Sequence, residues 1–199
     1  MYSPELTEQV YGPGVVVDGR VTSGFPYLPV ALLVAIPGQL LGDVRYAQLI
    51  AMVVTTLALC LLASDRFGRV AAVLGVASVS AIPMLTGAWT EPTSVALLAC
   101  VVVALERRRN ALAALLLGLL LVSKQYFLVV IPIIWLIRQS LTRRLFLIGI
   151  GVAAAVTRPF LLVDPAAFWK AIVEFQLVQP FRAVSVSLLV SSVNQFGWT

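Results

Sequence analysis

The chain reads as an all-α, polytopic membrane helix bundle, and three observations predict it. Hydrophobic residues make up 60% of the 199 positions and charged residues 12%, with a mean hydropathy of +0.99. A soluble domain is nearer half apolar and a quarter charged. Eight of the twelve arginines fall in three short loops: Arg66 and Arg69; Arg107, Arg108 and Arg109; Arg138, Arg143 and Arg144. Between these loops run apolar stretches of about 16–20 residues, enough to cross a bilayer as helix.

Short loops rich in Arg and Lys stay in the cytoplasm. That orients the chain and sends its other unusual polar residues to the opposite, outer rim: Asp43, Arg45, Glu91, Lys124, Gln125, Tyr126, Arg158, Asp164 and Arg182. The net charge of +5 has the same source. The three loops set eight Arg against Asp65 and Glu106, whereas the remainder carries six basic and seven acidic residues. The basic balance is therefore topological, and no nucleic-acid partner is expected.

Taken in order, residues 1–26 are polar and rich in Gly and Pro, without the basic and apolar regions of a signal peptide. They read as an outer-loop remnant. Residues 27–42 form an apolar run interrupted by Pro29, Pro37 and Gly38. A full span here from an outer N-terminus would put every Arg-rich loop outside, so the run is expected to be a juxtamembrane or re-entrant helix. Residues 43–161 hold six spans, at about 45–64, 69–87, 92–107, 109–124, 125–138 and 144–161. Short loops make consecutive spans antiparallel. Asp164-Pro165 then starts a helix, Asp as N-cap and Pro as first residue. Residues 162–182 form an outer interfacial helix and loop, and 183–199 begin a further membrane segment. The polar start and the abrupt end read as a fragment lacking helices on both sides.

Histidine is absent, which removes the commonest general base and metal ligand. Cys60 and Cys100 lie in apolar segments without metal or redox spacing. No cofactor is expected, and dependence on a divalent cation stays open. Nucleotide-binding loops, serine-nucleophile elbows and zinc motifs are missing.

The candidate residues lie at the outer rim. Glu91 is either a carboxylate favoured at a helix start or a site carboxylate. Lys124, followed by Gln125 and Tyr126, either snorkels to the headgroups or holds a phosphate as a point charge. Arg158 pairs with a rim carboxylate or contributes to the same site. Arg182 binds headgroups or clamps one phosphate bidentately. Asp43 and Arg45 are close enough for a local ion pair.

Several stretches, in order, carry a resemblance: Phe25-Pro-Tyr-Leu-Pro29 before Gly42-Asp-Val-Arg-Tyr46, then Thr90-Glu-Pro92, Ser123-Lys-Gln-Tyr126 with Pro132, and Gln179-Pro-Phe-Arg182 with Ser185 and Ser187. Together they resemble bacterial glycosyltransferases of the GT-C superfamily, nearest the actinobacterial type that takes mannose from a polyprenyl phosphate. The resemblance implies an enzyme moving a sugar from such a donor to a lipid or glycan acceptor at the outer face of the bacterial plasma membrane. The residues at hand fit that chemistry: Glu91, Lys124, Gln125, Tyr126, Arg158 and Arg182 are the substrate-binding candidates, and Lys124, Arg158 and Arg182, three basic groups at one expected membrane depth with few acidic partners, are expected to converge on the phosphate in one outer cavity with Glu91 on its wall. The resemblance also implies a catalytic Asp in a first outer loop upstream of this chain. Glu5, Glu8 and Asp18 do not match that motif, so the catalytic residue is unassigned and this stretch alone is expected to lack it. A transporter or lipid flippase, or a noncatalytic scaffold, would use the same rim differently. A transporter calls for polar residues near the midplane and an internal repeat. The span interiors are instead almost purely apolar, which favours an enzyme of the rim.

Overall fold

The computed structural model describes residues 16–17, 20–21, 27–78, 81–127 and 143–178. Apart from one small hairpin it is helical. Val16–Val17 pairs antiparallel with Arg20–Val21, Val16 opposite Val21. The intervening Asp18-Gly19 is a residue pair that favours two-residue hairpin turns. The helices are α1 (Pro29–Leu40), α2 (Arg45–Leu62), α3 (Arg66–Val76), α4 (Ala81–Thr86), α5 (Glu91–Glu106), α6 (Asn110–Leu121), α7 (Arg143–Val163), α8 (Pro165–Trp169) and α9 (Phe175–Val178). A π-helical turn, Lys170–Glu174, joins the last two.

Helix α1 is the interrupted run expected at 27–42, twelve residues with Pro37 inside. It ends at Leu40, and the turn that follows passes through Gly42, whose φ of 101° lies in the region open to glycine. Gly38 lets α1 close onto the next helix, since a Cβ there would stand 2.9 Å from the Ala47 nitrogen. The expected local ion pair follows: the Arg45 Nε donates to Asp43 Oδ2 at 2.8 Å. It holds the Asp43 carboxyl below the usual carboxylate range. Exposed on the surface, the pair contributes little stability.

Helix α2 shows how the bundle meets its surroundings. Its buried side is small or polar: Ala47, Gln48, Ala51, Thr55 and Ala58. Leu49, Ile50, Val53, Leu57 and Leu61 are exposed. A soluble protein turns large apolar side chains inward. Small residues inside and large ones outside suit helices packed closely against each other within lipid. Helices α2 and α7 are both long and apolar enough to cross a membrane, and both are mostly exposed.

The expected span at 69–87 is divided. Helix α3 stops at Val76 and α4 resumes at Ala81. Pro83 supplies a reason: it has no N–H, and its ring would collide with the carbonyl four residues before it. Asp65 caps α3, accepting from the Gly68 N–H at 2.7 Å. Helix α6 also departs from expectation, ending at Leu121 and not 124. The Ser123 hydroxyl donates to the Leu120 carbonyl at 2.8 Å, and the Val122 carbonyl accepts from Val30 N–H at the start of α1. Residues 122–125 are thus drawn out of the helix toward α1. Of the expected span at 125–138, everything beyond 127 lies outside the described residues, as do Arg182 and the segment at 183–199.

Helix directions follow from contacts between named residues. Gln48 and Thr93, both in first turns, touch, so α2 and α5 run parallel. Ser94, at the start of α5, touches Ser123, just past the end of α6, so these two are antiparallel. Gly118 faces Gly149 and Val152, while Gly149 faces Ala114 and Leu117. Both series rise together, so α6 and α7 are parallel, as expected of two spans with one more between them. The core joins Leu28 and Val30 to Val101, Leu117, Leu121, Phe146, Ala153 and Ile172. Ile172 belongs to the helical stretch begun by Asp164, which caps it as expected, accepting from the Ala167 N–H at 2.8 Å.

Two helix ends carry an unfavourable residue. Helix α4 closes through Trp89 N–H to the Met84 carbonyl and Ala88 N–H to the Leu85 carbonyl, the Schellman pattern. That pattern needs a left-handed residue, usually Gly, and here Ala88 takes it at φ 50°. Arg108 does the same after α5, at φ 53°. Ala88→Gly is therefore expected to stabilise the protein by about 1 kcal/mol, read as a higher unfolding temperature in detergent. A lower one would mean that the Ala88 methyl group is itself a packing contact.

Candidate functional site

Polar residues gather at one end of the bundle. Among the described residues, Gln48, Thr55, Thr90, Thr93, Ser94, Ser123 and Lys124 are the buried polar or charged ones. Thr55 satisfies itself on the Ala51 carbonyl one turn back. The other six lie where α2 and α5 begin and α6 ends. Those termini coincide because α2 is parallel to α5 and antiparallel to α6.

Lys124 is at the centre and is only 3% exposed. Its Nζ donates to Glu91 Oε1 in an ion pair. Tyr27 and Tyr126 present their rings to it, with Nζ 5.0 and 5.8 Å from the ring centroids. A buried ammonium needs such company: a paired charge and two aromatic faces offset lost hydration. The Glu91 side chain is 38% exposed, so the pair has one dry and one wet partner. Glu91 is the first residue of α5, with Pro92 behind it, where the helix dipole favours a negative charge.

Hydrogen bonds tie this pair to the frame. Thr93 Oγ1 donates to Gln48 Oε1 at 3.1 Å. The Ser94 and Ser123 hydroxyls share a hydrogen bond of 3.1 Å, and the Tyr126 hydroxyl neighbours Ser94. The Val30 N–H to Val122 carbonyl bond, 3.2 Å, fixes the chain beside Tyr27 to the chain beside Lys124. Thr90 Oγ1 is buried without a partner among the described residues. Glu91 also borders a 270 Å³ cavity, otherwise mostly apolar, whose lining includes Met52, Val76, Met84, Pro92 and Val95.

Of the candidates drawn from the sequence, the structure brings Glu91, Lys124 and Tyr126 together, and Gln125 follows Lys124 in the chain. Arg158 is exposed on α7. The α6–α7 contacts pair residues about 31–35 positions apart, which sets Arg158 just past the level of the α6 C-terminus, the end of the bundle that carries Lys124. Among the described residues it makes no ion pair with Glu91. Arg182 lies outside the described residues. Gln48, Thr93, Ser94 and Tyr27 were not singled out from the sequence. For Gln48, Thr93 and Ser94 the available signal is a polar residue in the first turn of an otherwise apolar helix; for Tyr27 it is its place in the Phe25–Pro29 motif before α1.

The motifs that suggested a resemblance are thus neighbours in space: Tyr27, Glu91 and Lys124 come from three of them. Among the described residues no His, Cys, Asp and Glu cluster could hold a metal ion. No curated protein and no solved structure matches the chain. The family model for glycosyltransferase family 87, a family of the GT-C type, matches residues 25–195. Together with the two apolar helices, that family points to a membrane protein. A glycosyltransferase needs a sugar donor and an acceptor, and nothing favours the transporter alternative. The chain belongs to glycosyltransferase family 87.

Proposed function

We propose that the protein transfers a sugar, mannose being the first candidate, from a polyprenyl-phosphate donor to a lipid or glycan acceptor at the outer face of the bacterial plasma membrane. The observation that carries this reading is the buried, ion-paired Lys124 at the polar end of an apolar bundle. A lipid-linked donor keeps its tail in the bilayer and brings its phosphate to the membrane rim. There the leaving phosphate gathers negative charge, and a fixed ammonium stabilises it. The acceptor hydroxyl has to lose a proton to a carboxylate. The resemblance puts that carboxylate, an Asp, in a first outer loop, and Glu91 is read as a wall of the same site. Arg158, at the end of the bundle that carries Lys124, and Arg182 are proposed to add positive charge toward the phosphate.

The donor class is tested with membranes containing the protein. Polyprenyl-phosphate mannose is expected to support transfer, and a nucleotide sugar without polyprenyl phosphate is not. Equal transfer from the nucleotide sugar alone would overturn the reading. Movement of the lipid-linked sugar across the membrane with no new glycosidic bond would instead favour a flippase.

The proposed orientation, with six spans and the Arg-rich loops inside, has its own test. In a background with Cys60 and Cys100 replaced by Ala, a cysteine at position 126 should react with an impermeant thiol reagent in intact cells. One at position 108 should react only after lysis. The reverse pattern would invert the topology and remove the site from the outer face.

A further inference from the structure

We propose that Glu91 is a built-in competitor for the anion that Lys124 receives. Its carboxylate occupies the ammonium until a phosphate displaces it, and the displaced carboxylate is then free at the wet side of the site. This rests on the reading of Lys124 as the phosphate-binding group.

The argument begins with the surroundings of the ammonium. Lys124 is 3% exposed, and its Nζ meets one carboxylate and two ring faces. The rings are neutral and attract the ammonium whatever else is bound. Glu91 differs, because a carboxylate and a phosphate beside one ammonium repel each other. An arriving phosphate must either displace Glu91 or bind weakly against it.

Glu91 is also the partner able to move. It stands at the first position of α5, its side chain is 38% exposed, and it borders the 270 Å³ cavity. It can turn toward water or the cavity mouth without disturbing the helix. Lys124 has no such freedom, because its side chain is buried against the rings of Tyr27 and Tyr126 and the residues before it are held to α1 and α6 by hydrogen bonds of Val122 and Ser123. The ion pair thus joins a fixed cation to a swinging anion. Had the pair served stability alone, a buried and hydrogen-bonded carboxylate would suit it better than a half-exposed one.

The test measures binding of farnesyl phosphate to the protein in detergent, with farnesol as the uncharged control. Glu91→Gln keeps an oxygen that can accept from Lys124 but removes the competing charge. It is expected to bind farnesyl phosphate on the order of tenfold more tightly than the unaltered protein, with farnesol unchanged. Lys124→Met is expected to bind it much more weakly, and adding Glu91→Gln to Lys124→Met should change nothing further. Should Glu91→Gln fold poorly, Glu91→Asp retracts the carboxylate by one methylene and should also tighten binding, by less. If Lys124→Met loses binding while neither Glu91 variant gains it, the competition is overturned and the donor reading stands. Unchanged binding in Lys124→Met overturns both. A gain from Glu91→Gln that persists without Lys124 reduces Glu91 to general repulsion and also overturns the proposal.

Discussion

Lys124→Met is expected to lower sugar transfer on the order of a hundredfold while the protein still inserts into the membrane and folds. The magnitude is that of removing one fixed group facing charge that develops in a transition state. Met keeps the length and apolar stem of Lys, so the space between Tyr27 and Tyr126 stays filled. The partner left behind is Glu91, whose side chain is 38% exposed and can be hydrated. Removing Glu91 instead leaves the 3% exposed ammonium without its countercharge, which costs about 3–5 kcal/mol when nothing replaces it. The pair is therefore asymmetric. Glu91→Leu should lower the unfolding temperature sharply, and Lys124→Met should barely move it. Activity within twofold of the unaltered enzyme in Lys124→Met, at subsaturating donor, would reduce Lys124 to an anchor of the fold.

This asymmetry marks where sequence reasoning stops. The types and depths of Glu91 and Lys124 could be read from loop charges and span lengths, because the positive-inside rule and bilayer thickness are one-dimensional constraints. Their pairing could not, since it depends on residues 122–125 leaving the helix to meet α1. That departure follows from one backbone hydrogen bond between Val30 and Val122, which no periodicity signals. Gln48 was missed for a related reason. Alone in an apolar helix it looks incidental, and it gains a role only because α5 brings Thr93 within 3.1 Å. Among the helices, α2, α5 and α7 come close to their expected limits: α2 has no internal Pro, Pro92 of α5 stands in its first turn, and Pro159 of α7 falls near its end. The expected span at 69–87 was read as continuous because its hydropathy is continuous. Pro83 was the contrary signal, and hydropathy does not register it.

The largest structural effect is expected at Gly118. A Cβ there would lie 2.5 Å from the Gly149 carbonyl oxygen and 2.6 Å from Val152 Cβ. One obstacle is backbone and the other a β-branched carbon close to it, so neither can turn aside by changing rotamer. Helices α6 and α7 would have to separate, losing dispersion contacts along the whole interface. In lipid, such packing is a main source of helix association. Gly118→Ala should therefore destabilise by about 1–3 kcal/mol, and Gly118→Leu should prevent the native packing. The comparison with other glycines of the same helix pair makes the test specific. At Gly149 a Cβ would meet the Ala114 oxygen at 3.3 Å, and at Gly151 it would meet nothing within 4 Å. Gly149→Ala should cost less than Gly118→Ala. Gly151→Ala should be neutral or stabilising by about 0.5–1 kcal/mol, because Ala is the better helix former. Unfolding temperatures of the three variants in one detergent give the order. Equal values for Gly118→Ala and Gly151→Ala would mean that α6 and α7 do not cross at Gly118, and the parallel arrangement that sets Arg158 at the end of the bundle carrying Lys124 would fall with it.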